Sequence, residues 1–514
     1  MSFVGTLVVL LSSSLCLFIL LTLIKFLHKV WWTPIRVQRA LRSQGIKGPS
    51  YRFFHGNTKE ILRLRKESTS KPMELSHHLF PRILPDIYLW FNIYGKNYLN
   101  WYGVKARLVV SESELAKDVL NNKDRAYTKF EAEGYLKKLL GDGLVTSEGE
   151  KWVKVRKLAN HAFHADRLKN MIPEMIASVE MMLERWKQYE GKEVEVYAEL
   201  RILTSEVISR TAFGSSYLQG KDIFQMLMRL SVLTARNTFK IKLPGLSKFF
   251  KTADDIEADK LEQGIRDSII RIIKKREEGM TEEVDSFGTD YLGLLVKAYH
   301  DADEKNRITV ENVIDECKTF YLAGQETTAT LLVWTILLLA IHTDWQEKVR
   351  QEVLELFGNQ HPNSEGIGRL KIMNMIINES LRLYPPVMSA VRKARREVKL
   401  GKFIIPANTS LQIPTLAFHH DPQIWGEDVL LFNPERFSEG VAKATNNNPT
   451  AFLPFSMGPR NCVGMNFAIN EAKIALSMIL QRYSFTLSPT YIHSPVPIVT
   501  VCPQLGVQVI IHPV

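Results

Sequence analysis

A chain of 514 residues with 45% hydrophobic and 24% charged residues has the composition of a globular protein and the length to bury a large core. Its 66 Lys and Arg against 55 Asp and Glu leave a net charge of +11, which suits an acidic partner or an anionic membrane surface. That excess is spread along the chain, with no basic block interleaved with aromatics, which argues against nucleic acid; the four dispersed cysteines, Cys16, Cys317, Cys462 and Cys502, describe neither a disulfide framework nor a zinc site.

Residues 1–24 carry no charge, and at the rise of an α-helix they span about 36 Å, enough to cross a hydrocarbon core. Lys25, Lys29, Arg36, Arg39 and Arg42 follow, with Trp31 and Trp32 at the expected interface. Positive charge on this side places the body in the cytosol and the N-terminus in the lumen. A basic n-region and a small-residue cleavage site are both missing, so an uncleaved anchor fits better than a signal peptide. The expected division is an anchor over 1–28, a basic and aromatic linker over 29–50, and one large domain over 51–514.

Along that domain, helical periodicity marks Glu112–Asn121, Trp152–Phe163, Leu168–Trp186, Leu200–Phe213, Asp254–Lys275 and Asp344–Phe357. Strand-like pieces are few and short, near 97–110 and 398–414. The expected fold class is mainly α with a small segregated β part. A second apolar stretch, Thr319–Ile341, carries one charge, Glu326, and a polar centre, "AGQETTAT". A polar patch inside an apolar helix predicts the buried axis of a soluble domain rather than a second span. Gly324 there costs about 1 kcal/mol relative to alanine, which predicts a close approach or a bend.

Near the C-terminus, "FSMGPRNCVG" surrounds Cys462. A lone cysteine in such a loop is an inert buried thiol, a nucleophile, or a single thiolate ligand to a metal cofactor. A cytosolic domain would keep it reduced. As a ligand to haem iron, a thiolate donates electron density that favours O–O cleavage. Such a loop needs a glycine for its turn, a second for close approach to the macrocycle, and a cation for a propionate; Gly458, Gly464 and Arg460 meet those needs.

The pattern F-x-x-G-x-R-x-C-x-G, matched by Phe455, Gly458, Arg460, Cys462 and Gly464, resembles the haem-binding signature of the cytochromes P-450. Other motifs follow in that family's order. "AGQETT" resembles its oxygen-activation motif, with Glu326 as acid and Thr327 as alcohol on a locally distorted helix. A hydroxyl beside a carboxylate can deliver protons without flooding a site with water. Glu379 and Arg382 resemble the family's E-x-x-R, which pairs with the arginine of "FNPERF", here Arg436; this trio would fold the haem pocket. The same spacing at Glu60/Arg63 and Glu347/Arg350 reads as surface pairing. Trp152 and Arg156 resemble the W-x-x-x-R that reaches a haem propionate, and Arg392 stands where the family places another propionate-binding arginine. His161 and His164, lacking a third ligand, are set aside as packing or surface residues. Cys317 reads as a small buried hydrophobe.

The resemblance covers nearly the whole chain and is nearest the plant microsomal clan with hormone- and terpenoid-oxidising members, by "GIKGPSYRFFHGN", "GDGLVTSEGEKW" and "ILQRYSFTLSPTYIHSP". Two departures stand out: only Pro34 and Pro49 where relatives have a denser proline hinge, and Ser456 where the loop often has glycine. The resemblance implies the cytochrome P-450 fold behind a transmembrane helix and haem b held by Cys462. It also implies a monooxygenase using O2 and electrons from NADPH through a flavoprotein reductase on a lipophilic small molecule, an isoprenoid or hormone-like compound. The location implied is the endoplasmic reticulum membrane, single-pass, with the catalytic domain cytosolic. A haem-thiolate isomerase or dehydratase and a non-catalytic haem-containing binding protein are the alternatives. The former typically loses the acid–alcohol pair, which is intact here. Substrate contacts are expected within Ala126–Leu140, Leu227–Leu243 and Pro386–Ala390.

Overall fold

The computed structural model describes residues 3–238, 240, 251–279 and 287–514. Among these, helices carry most of the chain, and the strands gather into one five-stranded sheet and three smaller ones. In the main sheet β1 (Asn97–Tyr102) and β2 (Lys105–Val110) form the hairpin expected near 97–110. The others are β3 (Tyr127–Thr128), β4 (Ser389–Ala394) and β5 (Ser410–Pro414), and the order is β1-β2-β5-β4-β3. Only β2 and β5 run parallel, so this sheet ties the early chain to residues 389–414. The architecture is mainly α with a segregated β part, as expected.

Every helix marked by periodicity is present, with ends that differ by up to four residues: Ser113–Asn121 starts one residue late, and Val196–Phe213 starts four early. The central helix, Val310–Ile341, starts well before its apolar run because a capping box holds its first turn. Thr309 accepts the Asn312 N–H, and Asn312 returns the bond to the Thr309 N–H. Its most apolar window is 83% buried, whereas that of the N-terminal helix is 0% buried. The first is a core axis, and the second is long and apolar enough to cross a membrane.

Gly324 answers to a close approach. A Cβ there would lie 2.7 Å from Ile208 Cγ1, on the crossing helix Val196–Phe213. The central helix is α-helical throughout, and the Thr327 hydroxyl donates to the Ala323 carbonyl at 2.7 Å. The hydroxyl thus bonds within an unbroken helix.

Two expected surface pairs differ. Arg350 lies 3.4 Å from Glu347 but is itself buried, donating to the carbonyls of Leu480 and Tyr483 at 2.8 and 2.9 Å. Arg63 faces Glu67 at 3.9 Å, where an i,i+4 partner is also in reach.

Glu379 and Arg382, by contrast, meet as a fully buried fork, with two N–H···O contacts of 2.7 Å. Arg382 also donates to the carbonyls of His419 and Val429 at 3.0 and 2.7 Å. Arg436 stands 3.5 Å from Glu379 and donates to the Trp425 and Asp428 carbonyls, both at 2.7 Å. His419 Nε2 in turn accepts the Leu453 N–H at 2.9 Å, carrying the network to the edge of the cysteine loop. Arg382→Lys keeps the charge and loses the fork. Disrupting a buried pair of this kind costs about 3–5 kcal/mol, so chemical denaturation of Arg382→Lys should show a loss of that size.

Candidate active site

The cysteine loop is shaped by two residues with positive φ. Gly458 has φ +73°, and a Cβ on it would lie 2.3 Å from the Leu120 carbonyl oxygen, so the turn requires glycine. Ser456 has φ +59°, a left-handed conformation that costs a non-glycine residue about 1–2 kcal/mol. Closure comes from the Cys462 N–H, which donates to the Phe455 carbonyl at 3.0 Å. Gly464 then leads into the helix Met465–Arg482; a Cβ on it would meet nothing within 4 Å, which leaves the approach to this end of the loop open. The Cys462 side chain is accessible, yet enough protein encloses it that burial pushes its thiol up, while the positive charge of Arg156 favours the thiolate.

Cations gather around this loop. Arg156 grips it directly, donating to the carbonyl and side-chain oxygens of Asn461 at 2.7 and 2.8 Å. Arg460 lies 4.0 Å over the Trp152 ring, donates to the Ser147 carbonyl at 2.9 Å and pairs with Glu148 at 2.9 Å. Arg392, on β4, is 2% exposed, and its Nη2 has no hydrogen-bond partner. Burial and the charge of Arg460 lower it to about 10. Lys129 completes the group and escaped sequence reasoning, because it sits in a loop without periodicity or motif. Burial, with Arg392 and Arg460 adding repulsion, brings its ammonium down to about 7, and Glu148 opposes the shift.

Lys129, Arg392 and Arg460 thus share one carboxylate. Buried charges left unbalanced in this way are costly unless an anion joins them. A dianionic macrocycle beside an accessible cysteine meets that requirement, so these residues fit haem and its propionates.

On the central helix Ala323 is exposed although its neighbours are mostly buried, and Thr327, one turn on, is half-buried. This strip of the central helix is thus left partly uncovered where the rest is packed. Glu326 points elsewhere: its Oε1 accepts from Arg201 Nε at 3.2 Å, and its Oε2 lies 3.5 Å from the Tyr197 hydroxyl. Burial pushes its carboxyl up, and Arg201 pulls it back. Tyr197 and Arg201 lie four apart on one face of the helix Val196–Phe213, a spacing the sequence shows but gives no reason to select.

Among the described residues no hydrogen bond or ion pair joins Glu326 or Thr327 to the cysteine loop. Of the expected contact regions, Val387 is 46% exposed and Met388, Ser389 and Ala390 are half-buried. Residues 239 and 241–243 of the region Leu227–Leu243 lie outside the described residues. His161 and His164 meet Arg167 and Asp166, and no group of three metal-ligating side chains forms among the described residues. Cys317 is buried, as expected.

An accessible cysteine in a tight loop and a buried cation cluster short of one anion fit a haem-thiolate protein. The family model for cytochrome P-450 matches residues 85–509. Cytochrome P-450 CYP749A22 of Panax ginseng is 65% identical over 506 residues, covering 98% of this chain and 96% of that protein. The 11-oxo-beta-amyrin 30-oxidase of Glycyrrhiza uralensis is 43% identical over 500 residues, covering 94% of each. The solved structure of retinoic acid bound cyanobacterial CYP120A1 superposes with a TM-score of 0.71 at 26% identity, covering 82% of this chain and 93% of that one. The chain belongs to the cytochrome P-450 family, whose members are monooxygenases that hold haem through a cysteine thiolate.

Two outcomes follow from the geometry. Arg201→Met removes the cation that lowers the Glu326 carboxyl, so its pKa rises further and more of it is protonated at pH 7. Infrared spectra should then show a larger protonated-carboxyl band, and Glu326→Gln should remove that increase, leaving the share of other buried carboxyls such as Glu471. Ser456→Gly relieves the left-handed serine and should raise stability by up to about 1 kcal/mol in denaturant titrations.

Proposed function

We propose that this protein is a membrane-anchored monooxygenase of the endoplasmic reticulum, with its catalytic domain in the cytosol, that oxidises an isoprenoid lipophile. Electrons would come from NADPH through a flavoprotein reductase. The observation that carries the reading is the unbalanced cluster of Lys129, Arg392 and Arg460 beside the accessible Cys462. The 11-oxo-beta-amyrin named in one relative and the retinoic acid bound in the structural neighbour support a lipophilic isoprenoid class. The apolar helix Phe3–Leu27, charged only at Lys25 in its last turn, supports the anchor.

In this reading Cys462 would hold the haem iron through its sulfur, and haem, when bound, would supply the activation of O2 for insertion of one oxygen atom into the substrate. Arg392, Arg460 and Lys129 neutralise the propionates; Trp152 supports Arg460 from below. Arg156 has a different task from the one its motif implies, holding the loop through Asn461. Ala323 and Thr327 leave a small residue and a hydroxyl oxygen uncovered on the central helix. The Thr327 hydroxyl, whose proton rests on the Ala323 carbonyl, would turn outward to hand on a proton, and Glu326 would take up protons from the Arg201 side, where the guanidinium is part-exposed. Intact acid and alcohol favour monooxygenation over a peroxide rearrangement that needs no external protons.

Thr327→Ala tests this division. Haem content and substrate-induced spectral shifts should persist, and NADPH consumption should continue with released peroxide rising. Product per NADPH should fall at least about tenfold. An unchanged ratio would remove Thr327 from the proton path, since alanine is otherwise the better helix former. Cys462→Ser should abolish the CO-bound thiolate spectrum and all oxidation.

A further inference from the structure

Anchor and catalytic domain are joined by helix rather than by a hinge. Phe3–Leu27, His28–Trp32 and Thr33–Arg42 follow one another directly, and the middle piece is one π turn, in which the Thr33 N–H reaches the His28 carbonyl. Pro34 accounts for that turn. A proline inside a helix clashes with the carbonyl four residues earlier and has no N–H to offer it. A π turn widens the ladder at such a point.

The carbonyl concerned belongs to Val30, and the Tyr51 hydroxyl donates to it. Tyr51 is itself fixed to the catalytic domain: its ring packs edge-on against Trp101 of β1 at 5.0 Å, and its N–H donates to Gln38 at 2.7 Å. Its hydroxyl also accepts the Phe54 N–H at 3.1 Å. Phe54 has φ +61°, a conformation that a bulky residue keeps only where its surroundings impose it. Farther along, Gln44 bonds both the N–H and the carbonyl of Ile404, at 2.6 and 3.0 Å. The segment is therefore fastened at both ends. At its membrane-proximal end the rings of Trp31 and Phe53 meet at 5.8 Å, and Trp31, Phe53 and Trp32 are exposed at 49%, 48% and 58%. Aromatic rings beside Lys29, Arg36 and Arg39 match the polar–apolar boundary of a bilayer.

We propose that residues 28–42 form a rigid stalk, locked to the main sheet by the Tyr51–Val30 bond, that holds the catalytic domain at one angle to the bilayer with Trp31, Trp32 and Phe53 in the lipid interface. The proposal rests on the reading of Phe3–Leu27 as a span. The full-length holoprotein is placed in phospholipid nanodiscs, with one nitroxide on the exposed Cys16 of the anchor and another on a cysteine replacing the exposed Lys66. Cys317 and Cys502 are buried, and Cys462 is protected by haem. Pulsed electron–electron resonance should give one narrow distance distribution. Tyr51→Phe, which keeps the ring on Trp101 and deletes only the hydroxyl, should lose it and give a broad one, with the CO-bound spectrum unchanged. A broad distribution in the parent chain, or a narrow one in Tyr51→Phe, overturns the stalk. Failure of the parent chain to enter the nanodiscs overturns the span instead.

Discussion

The buried fork between Glu379 and Arg382 is the interaction on which the site depends. It places two opposite charges where water cannot reach either, and such a pair survives only if every remaining donor finds a partner. Arg382 meets that condition with the carbonyls of His419 and Val429, and so pins the end of the short helix Thr415–His419 and the turn at Val429. His419 passes the constraint to Leu453, three residues before the left-handed Ser456. The loop that presents Cys462 is thus positioned from behind, by groups that never approach the thiol.

The electrostatics in front of the loop run the other way. Three buried or part-buried cations share Glu148, and the lowered ammonium of Lys129 shows the cost of crowding them. Behind the loop, charge is satisfied within the protein; in front, it is left for a ligand. That contrast separates residues that build the site from residues that serve it, and it moves Arg156 toward the first group.

Much of this was legible in the sequence, for identifiable reasons. Long periodic helices and the two-strand hairpin at 97–110 announce themselves through side-chain spacing. The cysteine loop does so through fixed residue types at fixed intervals. β4, "SAVRKA", has no clean alternation and two cations, and its pairing with β3 and β5 depends on partners far away in the chain. Lys129 and Arg201 were invisible for a related reason: each matters only through a charge brought to it by folding. Arg350 shows the converse error, a surface-like spacing whose guanidinium is drawn inward by two carbonyls of the C-terminal segment.

The helix Val196–Phe213 carries Ile208 against Gly324 and Arg201 against Glu326, seven residues apart and so on one face of the same rod. Its seat on the central helix sets the packing at Gly324 and the ionisation of Glu326 together. A bulkier or smaller side chain at Ile208 would tilt or draw in that rod, and the guanidinium would travel with it. Apolar packing and the ionisation of Glu326 are in this way geared to each other, so repacking around Ile208 retunes the carboxyl as well.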